Sequence, residues 1–125
     1  MQAVGQYWEQ CAEAFLSQKG LEPIARNFSI PCGEIDLIML DDLHIAFIEV
    51  RYRRTSRFGN ARLSVTAAKQ RRITRCAQGF LQQHPEWQRH PCRFDVIAYD
   101  ADLNSREPHW FRAAFESTTS ASAID

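Results

Sequence analysis

Long apolar runs are missing from this 125-residue chain. No stretch approaches the roughly 20 apolar residues that span a bilayer, which argues against a membrane-crossing helix. The start, Met1 to Gln6, lacks the basic residues and apolar run of a signal peptide, so the expected compartment is the cytoplasm. Cysteine is sparse. Cys11, Cys32, Cys76 and Cys92 form no C-x-x-C pair, so a zinc site has no spacing behind it. Buried or half-buried free thiols are expected instead. No internal repeat and no linker interrupts the chain. The length fits one domain, assigned to residues 1–115. Residues 116–125 are mostly Ser, Thr and Ala and are expected to form a flexible tail.

One absence is local. Residues 51–75 contain no acid, yet hold nine bases: Arg51, Arg53, Arg54, Arg57, Arg62, Lys69, Arg71, Arg72 and Arg75. Residues 1–50 hold eight acids and two bases. The net charge of zero therefore hides a segregation of charge along the chain. A run of bases without acids can bind phosphate, although a solvated helix face is the plainer use. Arg53, Arg54, Arg57, Lys69 and Arg72 are the candidate nucleic-acid contacts.

What is present reads as alternating elements. Val4 to Lys19 has apolar residues at Val4, Tyr7, Trp8, Cys11, Ala12, Phe15 and Leu16, the spacing of an amphipathic helix. Gly20 stands in the position of a helix stop. Strands are expected over Leu21–Ile30, Glu34–Leu40 and His44–Arg53. Arg54 to Ser64 is a basic loop. A second helix over Thr66–Gln83 offers Ala67, Ala68, Ile73, Ala77, Phe80 and Leu81 for burial and ends before Pro85. Strands over Arg93–Tyr99 and Trp110–Phe115 follow. The first three strands have short connections and should form an antiparallel meander. The second helix permits a parallel crossover to the fourth strand. The expected class is α/β, a mixed sheet with helices packed on it.

Two strands carry acids that strand propensity does not explain. Asp36 lies in Glu34-Ile35-Asp36-Leu37-Ile38, and Glu49 in Phe47-Ile48-Glu49-Val50-Arg51. A lone carboxylate is costly to bury. If Asp42-Leu43 form the turn, Asp41 faces His44 and Asp36 faces Glu49. If Asp41-Asp42 form it, Glu34 faces Glu49 and Asp36 lies one diagonal step away. Either register clusters the acids. Like charges across a sheet repel, whereas Mg²⁺ (or Mn²⁺) takes one or two carboxylates plus water and phosphate oxygen. Arg51 projects from the same face as Glu49. This set suits phosphodiester hydrolysis, with Asp36, Glu49 and Arg51 as catalytic candidates. The plainer alternative is an Asp36–Arg51 or Glu49–Arg53 ion pair without metal. Glu34 reads as a neighbour of the site or a turn acid. Glu13 and His44 read as surface residues, and Asp95 as a structural hydrogen-bonding or ion-pairing group. Trp8, Trp87 and Trp110 read as buried or part-buried packing residues.

Gly33 to Ile38, a short hairpin and Phe47 to Arg53 together resemble the PD-(D/E)XK nuclease superfamily. The chain resembles more closely the uncharacterised bacterial YraN family, which is similar to archaeal Holliday junction resolvases. Trp8-Glu9 through Leu16, Arg26-Asn27, Phe58-Gly59, Val65 with Lys69, and Arg93 to Val96 also match. The resemblance spans roughly residues 5 to 100. It implies a restriction-endonuclease-like αβββαβ core and Mg²⁺-dependent cleavage of DNA. It further implies metal ligation by Asp36 and Glu49, with Glu9 completing the set from the first helix. Arg51 departs from the pattern, standing where that family usually has lysine. Arginine forks phosphate but does not release a proton. Lys69 from the second helix is a candidate for part of that role, beside the plainer reading of a surface phosphate contact. Three functions follow: a DNA endonuclease, with branched DNA as one expected substrate; an inactive nucleic-acid-binding module on the same fold; and a protein binding an acidic partner. A cut on two strands would suit a homodimer.

Overall fold

The expected apolar stripe folds as α1 (Val4–Gln18), with Ala12 and Leu16 fully buried and Trp8, Cys11 and Phe15 packed beside them. Tyr7 departs from the stripe and is 53% exposed. Gly20 ends the helix at φ +100°, and the Leu21 N–H donates to the Leu16 carbonyl at 3.1 Å. This is the left-handed closure that glycine favours. The computed structural model describes residues 4–53, 65–100 and 107–117. The basic loop with Arg54 and Arg57, and the tail beyond residue 117, lie outside the described residues.

Five strands follow: β1 (Glu22–Ile30), β2 (Gly33–Asp41), β3 (His44–Arg53), β4 (Cys92–Asp100) and β5 (His109–Phe115). The helix α2 (Ala67–Gln83) lies between β3 and β4. They form one sheet in the order β1-β2-β3-β4-β5. β1–β2, β2–β3 and β4–β5 pair antiparallel, and β3–β4 pair parallel. The order α-β-β-β-α-β-β and the mixed sheet match the expectation and are consistent with a nuclease-like core. Asp41 faces His44 across the turn, so Asp42-Leu43 is the loop, with Asp42 at φ +57°.

Each face of the sheet has its own apolar layer. Ile35, Ile38, Ile45, Phe47, Phe94 and Val96 pack with Ile73, Cys76, Ala77 and Phe80 of α2. Leu37, Met39, Ala46, Ile48, Ile97 and Tyr99 pack with α1. Two expected core positions of α2, Ala67 and Ala68, are exposed, and Leu81 is half-buried. Thr74 and Cys76 are buried in their stead. Thr74 escapes the cost of burial because its hydroxyl donates to the Gln70 carbonyl at 2.8 Å. Gly33 lets the β1–β2 turn approach α2, since a Cβ there would lie 3.1 Å from the Arg72 carbonyl oxygen. All four cysteines are free. Cys76 is buried, Cys11 and Cys32 are half-buried, and Cys92 is exposed, against the expectation of burial.

The alternation of faces breaks at one level. Ile38 packs toward α2, and Leu37 and Met39 pack toward α1. Strict alternation would send Ile35 toward α1, yet it packs toward α2. Its partner Phe28 also packs toward α2, as does Ala25, the partner of Ile38. Both strands therefore take three residues, not two, to return to the same face. The residues absorbing the step are Asn27, at φ +50°, and Asp36. The β2–β3 ladder also ends here, at Leu37 opposite Ile48. This irregularity frees Asp36 from the sheet.

Candidate metal centre

The acids gather where β2 and β3 part. Beyond the last ladder pair, a carboxylate oxygen of Asp36 accepts the N–H of Val50 at 2.8 Å. The side chain thus fills the opening that the strand break creates. Glu49 is the next residue on β3 and is only 5% exposed. Two cations converge on its Oε2: the Lys69 Nζ at 2.8 Å and an Arg51 guanidinium nitrogen at 3.2 Å. The odd-numbered β3 residues Ile45 and Phe47 pack toward α2, and Glu49 meets Lys69 of that helix.

On the α1 side, Asn27 joins two further acids. Its side-chain amide donates to Glu9 at 2.8 Å and to Glu34 at 3.2 Å. Asn tolerates a positive φ better than most residues, which suits it to this bend. Glu13 does not simply face solvent as expected. It pairs through both oxygens with Arg26, at 2.5 and 2.6 Å.

Asp36 stands in surroundings that disfavour its charge. Asp36 is pushed up from 3.8 to about 8, chiefly by burial and next by the charge of Glu49. Glu9 and Glu34 push the same way, and the Val50 N–H opposes them. Among the described residues Asp36 has a backbone donor but no cationic partner. A proton or a cation is what this carboxyl is built to take up.

The donor set fits a hard divalent ion in an open site. Asp36 and Glu49 are the side chains that could offer it oxygen ligands, with water and phosphate supplying the remainder. Among the described residues no three His, Cys, Asp or Glu side chains are grouped closely enough to cage a metal. Glu9 lies near enough to act on Asp36 but is held by Asn27. It is not gathered into a third ligand position.

Of the other candidates, Arg72 is exposed on α2. Arg53 ends β3, and Arg54 and Arg57 lie outside the described residues. Of the ion pairs anticipated without metal, Asp36–Arg51 is not formed, and the Arg53 side chain lies outside the described residues. Glu49 pairs instead with Arg51 and Lys69. Sequence reading missed Asn27 as a link between acids. The signal available was its place in the Arg26-Asn27 match, which gave no hint of the backbone bend. Trp8 stacks on Tyr52 at 4.6 Å between ring centres and is half-buried, as are Trp87 and Trp110. His44 is exposed.

The fold and these acids define an α/β domain consistent with a nuclease-like core. The profile of Uncharacterised protein family UPF0102 matches residues 8–99. The chain belongs to this family, the YraN type. A UPF0102 protein of Stutzerimonas stutzeri is 46% identical over 116 residues, covering 93% of this chain and 97% of the relative. One of Pseudomonas savastanoi pv. phaseolicola is 44% identical over 117 residues, covering 93% and 95%. One of Psychrobacter arcticus is 49% identical over 108 residues, covering 82% of this chain and 62% of the relative. No helix among the described residues is long and apolar enough to cross a membrane.

Proposed function

We propose that this chain is a Mg²⁺- or Mn²⁺-dependent DNA endonuclease of the cytoplasm, with branched DNA as its substrate. The observation that carries the reading is Asp36. Its carboxyl is displaced from the sheet, raised to about 8, and set beside Glu49 with no cation of its own among the described residues. Removing a carboxylate from water and crowding it with like charge is costly, and sites that bind cations put that cost to use. The nine bases of residues 51–75, with no acid among them, support this reading as candidate contacts to the phosphate backbone.

In this reading Asp36 and Glu49 would hold the divalent ion, which would supply Lewis-acid activation of water and of the phosphate. The Asp36 oxygen kept by the Val50 N–H sets the direction of its other oxygen. Arg51 and Lys69 place positive charge beside Glu49, where the pentavalent phosphate gathers negative charge. A new P–O bond forms from water and the ester P–O bond breaks. The leaving alcohol gains one proton, and the remaining phosphate carries the new hydroxyl oxygen. Two copies related by a twofold axis would set one site on each strand of a junction.

The test is cleavage of a four-way junction and a linear duplex with Mg²⁺ or Mn²⁺, comparing the native chain with Asp36→Asn and Glu49→Gln. The reading expects junction cleavage by the native chain and at least about a hundredfold loss in either variant. Cleavage unaffected by Asp36→Asn would remove the site. No cleavage by the native chain, with DNA affinity that falls as salt rises, would favour the second reading. That reading is an inactive nucleic-acid-binding module on the same fold, and Arg51 in the usual lysine position is the observation that speaks for it. Affinity for DNA that ignores salt would favour an acidic protein partner.

A further inference from the structure

Lys69 occupies a poor place for a cation if solubility were its only purpose. It is the third residue of α2, in the first turn, where the helix dipole disfavours positive charge. That turn has no acid to offset it. The backbone there is tied down. The Thr66 hydroxyl accepts the Lys69 N–H at 3.1 Å, and Val65 before it is buried. The Gln70 side chain donates to the Val65 carbonyl at 2.9 Å, closing the same corner. From this anchored turn the Lys69 Nζ lies 2.8 Å from Glu49 Oε2, closer than the Arg51 nitrogen at 3.2 Å. The Lys69 side chain keeps 35% exposure while Glu49 keeps 5%, so the ammonium stands at the mouth of the site.

An ammonium is a compact charge with three rotatable donors. One is committed to Glu49, and among the described residues no second acceptor engages it. The guanidinium of Arg51 is a larger, planar group on the same strand as Glu49. A lysine reaching across from α2 therefore brings an ammonium to the glutamate of a strand that carries arginine, not lysine, at position 51.

We propose that Lys69 is the working cation of this centre, holding Glu49 and meeting the reacting oxygens in place of a strand lysine. Arg51 braces Glu49 from the side. The inference rests on the endonuclease reading above.

The experiment measures three quantities for each variant: single-turnover cleavage of a four-way junction at saturating protein with Mn²⁺, Mn²⁺ affinity by electron paramagnetic resonance, and metal-free junction affinity across salt. Lys69→Ala is expected to slow cleavage at least about a hundredfold. Its Mn²⁺ affinity should stay within about threefold of native or tighten, because a competing cation has left Glu49. Its junction affinity should change by less than about threefold, as expected for one phosphate contact or none. Arg51→Ala is expected to slow cleavage less than about tenfold. Arg51→Lys placed on Lys69→Ala is expected to recover at least about tenfold, by returning a lysine to the strand.

A loss confined to junction affinity and its salt dependence would make Lys69 a phosphate contact and overturn the proposal. So would a loss in Lys69→Ala that Arg51→Lys does not repair, or a larger loss in Arg51→Ala than in Lys69→Ala. Native cleavage unchanged by Lys69→Ala would overturn this inference and leave the endonuclease reading standing. No native cleavage at all would overturn both.

Discussion

Two aspartates sit in nearly the same sequence context and have opposite surroundings. Asp36 lies between Ile35 and Leu37 on β2, and Asp95 lies between Phe94 and Val96 on β4. Asp95 is fully buried and fully answered. Arg93 donates to both its oxygens at 3.0 and 3.1 Å, the Trp110 indole donates at 3.1 Å, and the Ala113 N–H donates at 2.9 Å. The register of β4–β5 shifts between Phe94 and Val96, and Ala113 turns to φ +49° to make that last bond. The backbone was bent to satisfy Asp95. At Asn27 and Asp36 the backbone is bent too, but it delivers one N–H and surrounds the carboxyl with acids. A buried acid that a fold needs for itself is given partners. Asp36 is given a single N–H and acidic neighbours, and that shortfall is what the proposed site would use.

This contrast can be broken by mutation. Asp95→Ala should cost about 3–5 kcal/mol, because Arg93 and the indole lose a buried partner. Urea denaturation would measure it, and a loss below about 1 kcal/mol would show that the cluster is not structural. Metal addition should do the reverse at the other site. At a hundred times its dissociation constant, Mn²⁺ should add about 2.7 kcal/mol to the native chain and much less to Asp36→Asn. Equal stabilisation of both would place the ion elsewhere.

Asp36→Asn should also stabilise the metal-free protein, and the sign follows from the raised value. Well below pH 3.8 the carboxyl is protonated whether folded or unfolded, so the substitution gains little. Between 3.8 and about 8 the unfolded state releases the proton while the folded state keeps it, and native stability falls as pH rises. The advantage of Asp36→Asn should therefore grow across that window and level off above pH about 8. A gain of at least about 1.4 kcal/mol corresponds to a single pKa unit. Thermal melts at pH 4, 6 and 8 would test it, and a flat difference would mean that Asp36 titrates normally. The smallest effect belongs to Thr66→Ala, which removes the cap of α2 at a cost of about 1 kcal/mol. If the cap holds Lys69 in place, cleavage should also slow in Thr66→Ala, though less than in Lys69→Ala.

Much of this was readable before the structure. The helix of residues 4–18 shows in its apolar spacing and its glycine stop. The two-residue turn at Asp42-Leu43 is one of two registers that both gather the acids, and Asp41 opposite His44 decides between them; the ladder ends at Leu37 opposite Ile48, so the expected Asp36–Glu49 pair is not part of it. The acids betrayed themselves by standing in strands that otherwise want apolar side chains. What was not readable shares one cause. The step at Asn27 and Asp36 depends on two neighbouring strands bending together, and neither strand alone encodes a break of alternation. The burial of Cys76 and Thr74 in place of Ala67 and Ala68 depends on how far along the sheet α2 is laid.

The sequence by itself determined the element order, the mixed sheet and the residue types able to bind a hard cation, because these follow from periodicity, turn chemistry and the cost of misplaced charge. The tertiary structure alone decided which acid is answered and which is left wanting. It also carried Lys69, twenty residues after Glu49 in the chain, to within 2.8 Å of its carboxylate. Contacts of that kind arise from the crossover that lays α2 across the sheet, and no local pattern contains them.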